Sequence, residues 1–233
     1  MLTGIEFFDK SVVKGGFQEG SLILLAGEPG TGKTIFSSQI IYNTMKKSKD
    51  KCVYISFSEN KNDYFREMSS LGMDFGELET AGLFKFMDLV SVNKEVIESE
   101  VELIMKEIIS TAPKFVIIDS VSALTHLMGK EKTRVFLHTT LGRFIKTMGS
   151  IVLLIAEKPY GEEKIGYGIE EFVADGVIVL KMEQVKEANR RIMEIRKMRG
   201  REIKRPQYEF IITEKGIEVY VKKLSDKKFH SIV

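Results

Sequence analysis

The chain alternates between short, wholly apolar runs and longer stretches whose apolar positions recur at threes and fours. Ser21-Leu22-Ile23-Leu24-Leu25-Ala26 ends in glycine and reads as a strand buried on both faces. Residues 52–57, 83–87, 115–118 and 151–156 predict four more strands of this kind. Helical stretches separate them, at 35–47, 60–71, 92–109 and 131–148. The second of these has Asn60 or Asn62 as its cap and Gly72 as its stop. In 92–109 the positions Val96, Ile97, Val101, Ile104, Met105 and Ile108 form one stripe, which predicts a face packed on a sheet. Strands and helices in alternation, with short connections, predict a parallel sheet with helices on both faces.

After residue 176 the pattern changes. Residues 176–183, 190–198, 207–212 and 217–221 predict strands without long helices between them. They read as antiparallel hairpins extending the same sheet. No Pro-rich or Ser-rich linker interrupts the chain, and Pro29, Pro113, Pro159 and Pro206 all fall where loops are expected. The expectation is one α/β domain over residues 1–233. Its core covers about 15–180, its antiparallel extension about 177–222, and a flexible tail 223–233.

Composition narrows the class. With 43% hydrophobic and 29% charged residues in 233, the chain can bury a core. The longest apolar run, 151–156, has six residues, against the ~20 a spanning helix needs, so no membrane is expected. The single Cys52 argues against a disulfide framework and a multi-cysteine zinc site. The first residues lack a basic start and an apolar stretch, so a cytoplasmic protein is expected. His126, His138 and His230 show no metal-ligand spacing.

Gly27-Glu28-Pro29-Gly30-Thr31-Gly32-Lys33-Thr34 fits G-x-x-x-x-G-K-[ST] in full, between a buried strand and a helix that opens at Ile35. The glycines let the backbone curl into an anion nest, and the helix adds its positive end. Lys33 is positioned for the β- and γ-phosphates of ATP and Thr34 for Mg²⁺. Asp119 ends the strand 115–118, on the rim where a carboxylate can hold the metal's water shell. Glu59 follows the second strand on that rim and is the candidate for positioning water. Glu157 ends the fifth strand there and is a candidate nucleotide sensor.

These residues resemble the KaiC-like branch of the RecA/RadA-type ATPases, especially single-domain archaeal members, over nearly the whole chain. Gly15-Gly16-Phe17-Gln18-Glu19-Gly20-Ser21 looks like the family's lead into its first core strand, and Ile118-Asp119-Ser120-Val121-Ser122-Ala123-Leu124 like its metal-binding strand end. The most specific match is Tyr167-Gly168-Ile169-Glu170-Glu171-Phe172-Val173-Ala174-Asp175-Gly176-Val177-Ile178. It is followed by Arg196-Lys197-Met198-Arg199-Gly200 and Gly216-Ile217-Glu218-Val219. The resemblance implies a RecA-like P-loop NTPase core in a homo-oligomeric ring, a hexamer, with ATP or ADP at each subunit boundary. It also implies that Lys197 and Arg199 reach the γ-phosphate of the neighbouring subunit. Residues two apart on a strand share a face, which agrees with that pairing.

Two departures stand out. The family's paired glutamates after the second strand are reduced to Ser58-Glu59, which favours slow hydrolysis or an ATP-dependent switch with negligible hydrolysis. The family's threonine and histidine after K-x-R-G are replaced by the run Arg201-Glu202-Ile203. Self-phosphorylation would follow by resemblance, with no acceptor identifiable. Residues 186–205 carry nine basic and three acidic side chains, a local +6 in a chain of net +2. A subunit boundary facing ATP is the favoured reading of this strip, and a DNA-contacting surface the alternative. Interleaved aromatics, expected of a single-strand platform, are absent from it.

Overall fold

The computed structural model describes residues 1–162, 164–185, 188–203 and 207–220. The expected tail 223–233, Pro206 and part of the basic strip lie outside the described residues. The elements run β1 (Leu22–Gly27), α1 (Lys33–Ser48), β2 (Cys52–Ser56), α2 (Lys61–Ser70), α3 (Phe75–Thr80) and β3 (Phe84–Asp88). Then come α4 (Ile97–Thr111), β4 (Phe115–Asp119), α5 (Val121–Met128), α6 (Lys130–Val135), α7 (Gly142–Met148), β5 (Ile151–Glu157) and α8 (Glu170–Val173). Four strands close the order: β6 (Gly176–Val185), β7 (Ala188–Met198), β8 (Gln207–Thr213) and β9 (Gly216–Tyr220).

The nine strands among the described residues form one sheet in the order β3-β2-β4-β5-β1-β6-β7-β8-β9. The strands from β3 to β6 are parallel, and β6 to β9 are antiparallel. The fold is therefore the expected α/β architecture with an antiparallel extension. Alternate strand residues feed two cores, one on each side. Ile23, Leu25, Tyr54, Phe84, Ile117 and Leu153 pack toward α1, α2 and α3. Leu22, Leu24, Val53, Val116, Ile118 and Leu154 pack toward α4, α5 and α7. Because every residue of β1, β2 and β4 is buried, the sequence shows continuous apolar runs rather than alternation.

Several elements differ from expectation for local reasons. The helix expected at 92–109 begins at Ile97. Upstream, the Asn93 side chain accepts from the N–H groups of Glu95 (3.0 Å) and Val96 (3.3 Å), holding a turn that competes with helix. Val96, expected in the buried stripe, is exposed. The helix expected at 131–148 is continuous from Lys130, but its middle, Phe136–Leu141, is π-helical. The short helices α3, α5 and α8 and a π-helical turn at Phe8–Val12 were not anticipated. Asn60, not Asn62, caps α2, accepting from Asp63 N at 3.0 Å.

The β8–β9 hairpin is clamped to α1. Gln39 Nε2 donates to the Ile217 carbonyl (3.2 Å), and Ile217 N donates to Gln39 Oε1 (2.6 Å). The extension thus lies against the helix that follows the glycine-rich segment Gly27 to Gly32. No helix among the described residues is long and apolar enough to cross a membrane.

Candidate active site

The glycine-rich loop joins β1 to α1. Gly27 ends the strand where a Cβ would come 2.5 Å from the Leu180 carbonyl and 2.8 Å from Thr31 Oγ1, so only glycine fits. Gly32 opens α1 at φ +95°, in the left-handed region, and a Cβ there would lie 2.8 Å from Ile212 Cδ1. The β8–β9 hairpin therefore packs directly on the loop. Thr31 is fully buried and ties the loop to itself, its hydroxyl donating to the Glu28 carbonyl at 2.8 Å.

Lys33 lies along the inside of this loop. Its Nζ donates to the carbonyls of Gly27 (2.9 Å) and Glu28 (3.0 Å). Burial lowers its pKa, while the nearby charges of Asp119, Glu157 and Glu28 act in the opposite sense. Thr34 Oγ1 donates to Asp119 Oδ2 at 3.1 Å, and Tyr54 OH donates to the same oxygen at 2.8 Å. Asp119 is 7% exposed. Burial raises its carboxyl above the usual carboxylate range, and the two hydroxyl donors and Lys33 pull it back down. The peptide between Asp119 and Ser120 is cis.

The parallel register sets four strand ends side by side. Ser56 of β2 pairs with Asp119 of β4, Asp119 with Ile155 of β5, and Glu157 of β5 with Gly27 of β1. The rim thus reads Glu59, Asp119, Glu157 and phosphate loop, in that order. Glu59 is fixed by its backbone: Ser56 Oγ donates to the Glu59 carbonyl (2.6 Å) and accepts from Glu59 N (3.0 Å). Its side chain is half-buried. Its pKa is pushed up to about 7, by burial first and then by the charges of Glu67, Asp119 and Asp63. Ser58 is exposed beside it. Glu157 is exposed too, with Ser120 Oγ 3.4 Å from its Oε1.

Three groups at this rim go beyond the sequence-based expectation. Lys158 is 4% exposed, with its Nζ 3.4 Å from Glu28 Oε1, and Tyr160 OH donates to the Pro29 carbonyl at 3.1 Å. The segment after β5 therefore braces the phosphate loop. The sequence marks Tyr54 only as a strand residue, because an apolar run gives no sign of where a hydroxyl will point, yet its OH reaches Asp119.

Lys197 and Arg199 lie elsewhere. Lys197 pairs with Val177 at the start of β6, and the start of β6 pairs with Ile23 of β1. Val177 itself lies beside Leu24, and Arg199 N donates to the Asp175 carbonyl beside Leu22, so the two cations sit three and five residues back along β1 from Gly27, about 10 and 16 Å at ~3.3 Å per strand residue. Lys197 Nζ donates to the carbonyls of Ala174 (2.6 Å) and Glu171 (3.2 Å). Burial first, and then Arg199, lowers its pKa. Arg199 is 60% exposed in its side chain and donates to Asp175 Oδ1 at 3.0 Å. Other cations of the strip are also paired within the chain, Arg190 with Glu209 and Arg196 with Glu194 and Glu171.

Comparison with known proteins agrees with this geometry. A family model described as "ATPase: KaiC" matches residues 1–224. The circadian clock oscillator protein KaiC of Parathermosynechococcus lividus is 32% identical over 94% of this chain and 42% of its own length. The chain thus spans less than half of the clock proteins it matches. The UPF0273 protein PH0284 of Pyrococcus horikoshii is 29% identical, over 95% of this chain and 94% of its own. The crystal structure of the KaiC-like protein PH0186 from Pyrococcus horikoshii aligns with a TM-score of 0.82 and 33% identity, covering 94% of this chain and 98% of that one. The phosphate loop, the strand order and these matches converge: the chain belongs to the KaiC family of ATPases.

Proposed function

We propose that the protein binds ATP at the loop from Gly27 to Ile35 and hydrolyses it, with Mg²⁺, at the boundaries between subunits of a homo-oligomeric ring. The observation that carries this reading is the network at the loop. Lys33 is held within it, and Thr34 and Asp119 share a hydrogen bond beside it at 3.1 Å. The donor set suits Mg²⁺: a hydroxyl and a carboxylate are hard oxygen ligands. No cluster of three His, Cys, Asp or Glu side chains able to cage a metal occurs among the described residues. Mg²⁺ is characteristically held through one or two protein oxygens plus phosphate and water. When bound, Mg²⁺ supplies neutralisation of phosphate charge.

The remaining roles fall to the chain. Lys33 binds the β- and γ-phosphates as a point charge. Thr34 and Asp119 are the metal-side oxygens. Glu59 orients a water whose oxygen attacks the γ-phosphorus, and its carboxylate accepts the water's proton. The bond to the β,γ-bridging oxygen breaks, and ADP and inorganic phosphate leave. Lys197 and Arg199 lie too far from their own loop to take part there. Supplied by the adjacent subunit, they stabilise charge on the transferred phosphoryl, as arginine fingers do.

Steady-state phosphate release, measured with sizing in the presence and absence of ATP and Mg²⁺, tests this. Turnover abolished by Lys33→Ala and strongly reduced by Glu59→Gln, in an assembly larger than a monomer, is the expected result. Turnover unaffected by either substitution would reject it. A second reading is an ATP-dependent switch with very slow hydrolysis. It draws on exposed Ser58 where a second acid is absent, and on a Glu59 that is about half protonated near pH 7.

A further inference from the structure

Asp175 occupies the junction between α8 and β6, and both its carboxylate oxygens are engaged. Oδ2 accepts from the N–H of Leu22, the first residue of β1, at 3.1 Å. Oδ1 accepts from Arg199 Nη1 at 3.0 Å. Its backbone is tied to the same two residues: Asp175 N donates to the Leu22 carbonyl (2.7 Å), and Arg199 N donates to the Asp175 carbonyl (2.9 Å). The aspartate side chain is 20% exposed and the arginine 60%. Both line an open cleft of about 310 Å³ together with Ser21, Lys146 and Met198. An anchored carboxylate thus holds an exposed guanidinium at a cleft mouth, at the end of β1 remote from the phosphate loop.

We infer that Asp175 is the positioning residue for Arg199, fixing the cation that one subunit lends to its neighbour's nucleotide. This rests on the trans role proposed above. In this role Asp175 acts through Arg199 and not on the nucleotide directly. Its reach is mechanical: β1 begins on the Asp175 carboxylate and ends on the phosphate loop. One strand therefore joins the site a subunit holds to the cation it lends. Such a pair also orients the planar guanidinium, which a free, solvated arginine would not do for itself.

Asparagine separates positioning from structure. Asp175→Asn keeps a carbonyl oxygen for Leu22 N but sets an amide N–H against the guanidinium, so Arg199 is released while the β1 tie remains. Turnover is expected to fall roughly ten- to hundredfold with little change in KM for ATP, as for a misaligned transition-state contact. Mixed assemblies supply the deciding readout. Lys33→Ala subunits are dead at their own loop but carry an intact Asp175–Arg199 pair. Co-assembled with Asp175→Asn subunits, they are expected to restore phosphate release per Asp175→Asn loop, and to do the same for Arg199→Ala subunits. Rescue of Arg199→Ala without rescue of Asp175→Asn overturns the positioning role and leaves the trans reading intact. Failure to rescue Arg199→Ala overturns the trans reading, and this inference with it. If Asp175→Asn does not fold, Asp175→Glu keeps the charge but displaces it by one methylene. It takes the same test with the same expected rescue.

Discussion

The two ends of β1 are built on opposite plans. At its carboxyl end the polar groups are drawn inward: Lys33 bonds two loop carbonyls, Thr31 is fully buried, and Asp119 takes two hydroxyl donors at 7% exposure. At its amino end a cation stands 60% exposed on a carboxylate tether. The first arrangement is preorganised within one chain, since its donors and acceptors already satisfy one another. The second has a charge with one side-chain partner among the described residues and a cleft beside it, which suits the proposed role of a group lent to another molecule. A strand of six residues separates them, so one chain cannot bring its own two ends together.

The sharpest way to break this contrast is at the inward end. In the proposed role, Lys33→Ala removes a cation whose charge-assisted bonds to phosphate would contribute about 1.5–3 kcal/mol each, so ATP affinity should fall more than roughly a hundredfold and turnover should vanish. Titration with a fluorescent ATP analogue measures it, and near-native affinity would remove Lys33 from the phosphate site. The outward end should behave differently. Arg199→Ala is expected to lower kcat by about a thousandfold, while affinity for ATP within the isolated subunit stays nearly intact. Equal losses in both quantities would place Arg199 in the subunit's own binding site and erase the distinction between the ends.

How far the sequence exposes each end follows from the same physics. The inward end rests on a contiguous motif between a buried strand and a helix, so Gly27 to Thr34 and the rim positions Asp119 and Glu157 could be read directly. Phe115 to Asp119 was legible because strand burial on both faces leaves an unbroken apolar run ending in a charge. The supports were not legible. Tyr54 and Lys158 lie in or beside apolar strands, and only the register turns their polar atoms toward Asp119 and Glu28. Likewise α3 is six residues long, too short to display a helical period, although Asp74 caps it through Glu77 N. The middle of the long helix looked regular because a π-helical stretch changes the period too little to show over six residues. At the outward end Asp175 was visible within a motif but had no assignable partner. Leu22 and Arg199, which it joins, are 153 and 24 residues away in sequence.

Glu59 offers a smaller and more diagnostic perturbation, because it sits on the inward rim yet is only half-buried. Its carboxyl is pushed up to about 7, chiefly by burial. In the proposed role of Glu59, the water-orienting form is the ionised one. Its fraction is small at pH 5 and nearly complete at pH 9, so phosphate release should climb with pH through about 7. Glu59→Gln should lower kcat by roughly a hundredfold and flatten that climb. A profile that still rises through the same pH in the glutamine variant would assign the titration to another group.

The least expected effect on turnover, and the one that tests whether the inward plan is structural as well as chemical, comes from Tyr54→Phe. The substitution keeps the ring, which stacks on Phe86 at 5.3 Å and packs beside Tyr64 at 4.7 Å, so the core on that face is preserved. What it deletes is the 2.8 Å bond to Asp119 Oδ2, leaving that oxygen to Thr34 alone. Losing a bond to a buried carboxylate costs about 1.5–3 kcal/mol, so the denaturation midpoint should drop while the slope m is unchanged. Nucleotide chemistry should change only a few-fold, since Tyr54 reaches phosphate only through Asp119. No loss of stability would mean that Asp119 is satisfied without Tyr54, and that the buried rim is less tightly preorganised than its hydrogen bonds imply.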